Sequence, residues 1–158
     1  MILAGDSRAF DPYFQHVLET CRQHNQIEHV QLAGQLDESE LLAYYQTAHL
    51  YWSASEHEGF GAPLVEAMWF DVPVLALSEA AVPETIADAG VLFDKDESLE
   101  HVAERAFELV RNVTRRREVI DKQRLRRREF TLPAVAPRLK ELCERIEAAS
   151  RAALHGVA

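Results

Sequence analysis

The chain has 158 residues, 47% of them hydrophobic and 27% charged, and a net charge of −9. That is the size and composition of one ordinary globular domain, enough to bury roughly 68–70% of the unfolded surface. The acidic balance argues against a general nucleic-acid binder, which is usually basic.

Short apolar runs alternate with helical patterns along the chain. Met1–Ala4 reads as a buried strand that ends at Gly5-Asp6. It has no basic region, so neither a signal peptide nor a membrane span is expected, and a cytoplasmic protein fits. Pro12–His24 follows as a helix, and Val30–Ala33 as a strand stopped by Gly34. Asp37 is a good N-cap for a helix running to Thr47, and Glu40 three residues on completes a pattern like a capping box. Leu50–Ser53 is a strand, Pro63–Phe70 a helix and Pro73–Leu77 a strand. Pro83–Ala87 is a short helix and Gly90–Phe93 a strand. Leu99–Asn112, Arg115–Arg128 and Leu132–Ala153 are helices with no strand between them.

Strands of this length alternating with helices predict an α/β fold: a Rossmann-like three-layer sandwich with a parallel sheet of about five strands, ending in three helices. The near-continuous apolar strands agree, because a parallel sheet is covered on both faces. No Pro/Gly/Ser-rich linker interrupts the chain, so a single domain over residues 1–158 is expected. Cys21 and Cys143 form no Cys-x-x-Cys pair and are expected as buried free thiols. Arg111–Arg128 holds nine basic and two acidic residues. It reads as a solvated helix face, or else as a patch for anionic lipid or an acidic partner.

The densest information lies in Ser55–Ala67. Ala54–Ala62 links a strand to a helix, and ligands of doubly wound sheets sit at such loops. Gly59 and Gly61 permit backbone angles and a close approach that a Cβ resists. Pro63 suits the first helical position, and the helix end beyond it offers unpaired N–H groups and a positive pole to an anion. Pro63 has no N–H, so Leu64 and Val65, with Gly61 behind them, are the expected phosphate donors. Glu58 precedes the turn and can accept hydrogen bonds from sugar hydroxyls. Glu66, one helical turn in, can accept two from a ribose diol. Each residue has a plainer reading: a tight turn for the glycines, a solvated acid for Glu58, a helix-dipole partner for Glu66. His57 between two glutamates has no second histidine nearby, so no metal site is expected. Trp52, Trp69 and Phe70 read as packing residues.

Taken together, Glu58-x7-Glu66 with Gly59-Phe60-Gly61-x-Pro63-Leu64-x-Glu66-Ala67-Met68 resembles the donor-binding, C-terminal half of GT-B glycosyltransferases, closest to the retaining group 1 or family 4 enzymes. His29–Gly34, Leu41–Tyr45, Pro73–Ala76, Val82-Pro83-Glu84 and Asp88–Phe93 extend the resemblance over about residues 1–125. It implies that Glu58 is the catalytic carboxylate holding the donor sugar. It implies that the backbone of Gly59, Phe60 and Gly61 lines the sugar and phosphate pocket, and that Leu64 and Val65 bind the pyrophosphate. Glu66 would bind the ribose, and Gln35 and Leu36 the nucleobase. The substrate would be a nucleoside-diphosphate sugar, transferred with retention and with no cofactor or metal. Stabilising the departing diphosphate would be the main catalytic task.

The chain departs from the family pattern in two ways. The acceptor-binding domain, the first donor-domain strand and the Arg and Lys pair that follows it are not found; Arg8 is out of place for that pair. Little transferase activity is therefore expected of this chain alone. An absent domain or partner chain and a homodimer are candidate associations for the surface it would cover, and a peripheral membrane contact is a candidate for the basic stretch. The second departure is Ala80-Ala81 where the family often has Gly-Gly. Two other readings compete: a nucleotide-sugar epimerase, and a non-catalytic nucleotide-sugar sensor or subunit.

Overall fold

The computed structural model describes residues 1–4 and 12–155, as two compact units that divide after Thr47. The strand stop at Gly5-Asp6 and the placement of Arg8 lie outside the described residues.

In the first unit, β1 (Ile2–Ala4) pairs in parallel with β2 (Gln31–Gly34). The register runs Ile2 to Gln31 and Leu3 to Leu32, then slips by one to join Ala4 to Gly34. The N-terminal ammonium extends the ladder by donating to the His29 carbonyl at 2.6 Å. Between the strands, α1 (Pro12–Gln23) ends with Asn25 at φ 54°. The Asn25 N–H meets the Arg22 carbonyl and the Gln26 N–H meets the Cys21 carbonyl, the paired bonds of a Schellman end. A 3-10 turn at Ile27–His29 leads into β2. Before α2 (Glu38–Thr47), the expected capping box is present. The Glu40 N–H donates to Asp37 at 2.9 Å, and the Asp37 N–H donates to the Glu40 carboxylate at 3.0 Å. The bond from the Glu40 N–H, then that from the Ser39 hydroxyl, holds the Asp37 carboxyl below the usual carboxylate range.

In the second unit, β3 (Tyr51–Ser53), β4 (Val74–Leu77) and β5 (Val91–Phe93) form a parallel sheet in that order. The five expected strands are thus present and parallel, hydrogen-bonded as two and three. All four residues of β4 are buried, as a middle strand covered on both faces requires. Crossovers return through α3 (Ala62–Trp69) and α4 (Val82–Ile86). Beyond β5 come α5 (Leu99–Arg111), α6 (Val113–Arg126), a 3-10 turn at Arg127–Phe130, and α7 (Leu132–His155). Ser98 caps α5 by accepting from the His101 N–H, and Asn112 ends α5 while capping α6 through the Arg115 N–H. Leu75, Leu77, Val91 and Phe93 of the sheet pack with Val102 and Leu109 of α5 and Val119 of α6.

Much of the basic run stays at the surface, as a solvated face does, and several of its cations are also tied back into the unit. Arg116 donates to the His49 carbonyl, Lys122 pairs with Asp88, and Arg124 grips Asp71 through two bonds. Arg127 donates to the Met68 and Trp69 carbonyls at the end of α3 and to Asp71. Its guanidinium also stacks on Trp69 at 4.8 Å. Buried Gln123 reaches the Val72 carbonyl at 2.9 Å. These contacts close the last turn of α3, whose Asp71 at φ 55° completes a second Schellman end.

Two packing expectations are corrected. Cys143 is exposed, on a stretch of α7 that faces solvent, and Cys21 on α1 is half-buried. Trp52 and Trp69 keep nearly half their surface accessible, each using one ring edge or face against Phe93 or Arg127.

Removing the Arg127 side chain should take a donor from the Met68 and Trp69 carbonyls and one of three cationic donors from Asp71. Urea unfolding of Arg127→Ala should show a loss of about 2 kcal/mol. Asp71 is held below the usual carboxylate range first by its bond from Arg124, then by the charges of Arg124 and Arg127. Its contribution is therefore present above the unfolded value near 4 and lost as pH falls below it. In Asp71→Asn the acid limb of the stability–pH curve should flatten. Ala80 stands at φ 51°, a left-handed conformation that costs a residue with a Cβ about 1–2 kcal/mol. Ala80→Gly should raise stability by about 0.5 kcal/mol net of the added unfolded-state entropy, read as a shift in melting temperature.

Candidate functional site

Because β3, β4 and β5 are parallel, their C-terminal ends open on one edge, where ligands of doubly wound sheets bind. The loop from β3 to α3 carries Glu58, Gly59, Phe60 and Gly61. Gly61 ends it at φ 76° as the residue before α3, with Pro63 in the first turn. A Cβ there would stand 2.6 Å from the Leu64 Cδ1, so glycine is required by both angle and space. Around Gly59 there is open space within 4 Å, and that stretch of backbone is accessible to a ligand.

Two carbonyls of the loop are bound from outside it. The Glu58 carbonyl accepts from the Ala81 N–H at 3.3 Å, and the Phe60 carbonyl accepts from the Thr85 hydroxyl at 2.6 Å. Among the described residues, the N–H groups of Gly59, Phe60, Gly61 and Ala62 have no protein acceptor. The Leu64 N–H, by contrast, is engaged by the Gly61 carbonyl at 2.9 Å, and the Leu64 and Val65 side chains are buried in the unit. The free donors therefore begin earlier in the loop than the proline position suggests.

Glu58 is half-buried at the mouth of the loop, and Glu66 is exposed on the first turns of α3. Both carboxylates act on the phenol of Tyr51 at the start of β3. Burial pushes that phenol up to about 12, and the charges of Glu58 and then Glu66 add to the rise. The sequence gives no role to Tyr51 beyond strand packing, although a tyrosine in an apolar strand needs a polar setting for its hydroxyl. On the same edge, Lys95, just after β5, pairs with Glu56 at 2.9 Å. This exposed cation also escaped the sequence reading, since its partner lies 39 positions away.

Beside α3 runs an open groove of about 450 Å³, lined by Phe60, Ala62, Val65, Glu66, Trp69 and Phe130 with Val135. The Phe60 and Phe130 rings meet edge to face at 5.4 Å. Gln35 and Leu36 lie in the first unit, on the loop between β2 and α2, with Gln35 exposed and Leu36 half-buried. His57 is exposed, and among the described residues no three His, Cys, Asp or Glu side chains converge as a metal-binding group. Among those residues, too, no helix is long and apolar enough to cross a membrane.

Comparison with known proteins bears on the family and the fold. Residues 68 long in all are 32% identical to O-antigen chain mannosyltransferase B of Escherichia coli, covering 43% of this chain and 18% of that protein. The Anabaena protein Alr3699/HepE, solved in complex with UDP, superposes with a TM-score of 0.75 at 20% identity, over 91% of this chain and 40% of that one. The C-terminal domain of a glycosyl transferase group 1 family protein (LpcC) from Francisella tularensis superposes with a TM-score of 0.65 at 25% identity, over 77% of this chain and 64% of that one. The chain thus spans well under half the length of the first two. Its architecture is the Rossmann-like α/β fold found in GT-B glycosyltransferases. Residues 1–126 match the sequence profile of the glycosyl transferases group 1, and the chain belongs to that family.

Proposed function

We propose that the chain binds the donor of a glycosyl transfer, a nucleoside-diphosphate sugar, at the loop from Glu58 to Gly61 and the start of α3. The observation that carries this reading is the run of N–H groups from Gly59 to Ala62, unpartnered among the described residues and set between Glu58 and Glu66. Diphosphate oxygens need several donors at fixed positions, and sugar hydroxyls need carboxylate acceptors. Such a loop offers both within a few residues.

On this reading Glu58 accepts hydrogen bonds from the hydroxyls of the transferring sugar. Gly59, Phe60 and Gly61 donate to the sugar and the phosphates. Leu64 and Val65 contribute chiefly through the positive pole of α3, since the Leu64 N–H is already engaged by Gly61. Glu66 takes the ribose diol. As the glycosidic bond breaks, negative charge grows on the leaving diphosphate. Prearranged N–H groups stabilise that charge without reorganising. The family pattern of the two glutamates supports transfer with retention and without a metal. The solved complexes of the Anabaena relative with UDP and with UDP-glucose support a nucleotide-sugar ligand.

Calorimetric titration with UDP, GDP and ADP, and with their glucose, mannose and N-acetylglucosamine conjugates, tests the reading. One nucleotide series should bind saturably, equally well with and without EDTA. Glu66→Ala should weaken every member of that series by about tenfold or more, as expected for lost bonds to a charged group. Glu58→Ala should weaken the sugar conjugates while leaving the bare nucleotide within about twofold. Absence of binding in all series would overturn the proposal. As an internal check, the Tyr51 phenol should titrate near 12 in the parent and lower in Glu66→Ala.

A further inference from the structure

We infer that Thr85 is a positioning residue for the donor loop, held in place by Arg126; this rests on the donor reading above. The loop needs such a residue for a physical reason. Two of the four residues from Glu58 to Gly61 are glycine, and glycine leaves the flanking peptide planes free to turn. The freedom that lets a ligand approach the backbone also leaves its N–H groups without a fixed aim.

In a trans peptide the C=O and the next N–H point in opposite directions, and no peptide bond here is cis. Binding a carbonyl therefore aims the N–H that follows it. The Thr85 hydroxyl holds the Phe60 carbonyl at 2.6 Å, which turns the Gly61 N–H away from α4. The Ala81 N–H holds the Glu58 carbonyl at 3.3 Å, which does the same for the Gly59 N–H. Both of these N–H groups are among the unpartnered donors. The shorter of the two bonds comes from a side chain that is only 3% exposed, where water is not at hand to replace it.

Thr85 is itself fixed. Its N–H donates to the Ala81 carbonyl at 2.9 Å. Its carbonyl accepts from the Arg126 Nε at 3.1 Å, while the Arg126 Nη2 reaches the Glu84 carbonyl at 2.6 Å. The Arg126 guanidinium lies over the Phe130 ring at 5.1 Å, and Phe130 meets Phe60 edge to face. Phe60 is thus gripped twice, by its carbonyl through Thr85 and by its ring through Phe130. Arg126 joins the two grips.

The test compares Thr85→Val, which keeps the shape and removes the hydroxyl, with Thr85→Ser, which keeps the hydroxyl. The chain has six glycines, so a sample labelled with ¹⁵N-glycine gives a short amide spectrum. The Gly61 signal should be single in the parent and in Thr85→Ser, and broadened or doubled in Thr85→Val. Titration with UDP-glucose, or with the conjugate the parent binds best, should be about tenfold weaker in Thr85→Val and within about twofold of the parent in Thr85→Ser. An unchanged Gly61 signal in Thr85→Val would overturn the inference. So would a Thr85→Ser variant as impaired as Thr85→Val, because packing of the methyl group would then account for the effect. If the parent binds no nucleotide sugar, the donor reading fails while the glycine spectra still decide whether Thr85 aims the loop.

Discussion

Everything in the second unit depends on the parallel pairing of three short strands around a wholly buried β4. Parallel neighbours cannot be joined by a tight turn, so each connection must leave the sheet, cross a face as a helix and return. This puts α3 and α4 where they cover β4, and it puts every strand's outgoing loop on the same edge. Ser53, Leu77 and Phe93 each end a strand there. Residues far apart in sequence, such as Glu56 and Lys95, become neighbours as a result. The strands are only three or four residues long, and side chains alternate faces along a strand. The wholly buried β4 carries no such alternation in burial, whereas β5 alternates buried, half-buried and buried residues, so a slip of one residue would exchange its faces.

The second organising element is the set of cations on α6 and the turn after it. Arg116, Arg126 and Arg127 all end on backbone carbonyls at or near the ends of elements: those of His49, of Glu84 and Thr85, and of Met68 and Trp69. A guanidinium with several donors in one plane suits this better than an ammonium would. The one nearest the site, Arg126, serves the α4 backbone and an aromatic ring together. The chemistry of the site and the packing of the C-terminal helices are therefore not separable in this unit.

Much of the fold is legible in the residues themselves. The strands are uninterrupted apolar runs, and the helices carry caps whose partners sit three residues away, as with Asp37 and Glu40 or Asn112 and Arg115. Gly61 announces a left-handed turn because only glycine fits it. The glutamate spacing around that turn marks the candidate site before any coordinates. Contacts without a local signature were not legible. The ties of the basic stretch at Arg111–Arg128 do not show, because a carbonyl acceptor leaves no trace in the side-chain sequence. Ala80 and Asp71 adopt positive φ without being glycine, and only the surrounding bonds show why they tolerate it. Tyr51 draws its environment from two carboxylates on later segments. The engaged Leu64 N–H is a matter of turn geometry, which the proline alone does not fix. The division of the strands into ladders of two and three likewise depends on pairing, not on strand pattern.

The grip on Phe60 has a consequence for how the protein is made. The hydroxyl that binds its carbonyl comes from a residue 25 positions later in the chain, and the ring that packs on it belongs to Phe130. On a ribosome moving at roughly 5–20 residues per second, the aromatic half of that grip is synthesised about 4–14 s after the loop. During that interval the sheet edge can assemble, because β3, β4 and β5 all precede α5. The carbonyl grip from Ala81 and Thr85 can form with it, while the ring grip from Phe130 cannot yet. The Phe60 ring is thus packed only after the strands and the carbonyl grip have been made, by a residue beyond α6.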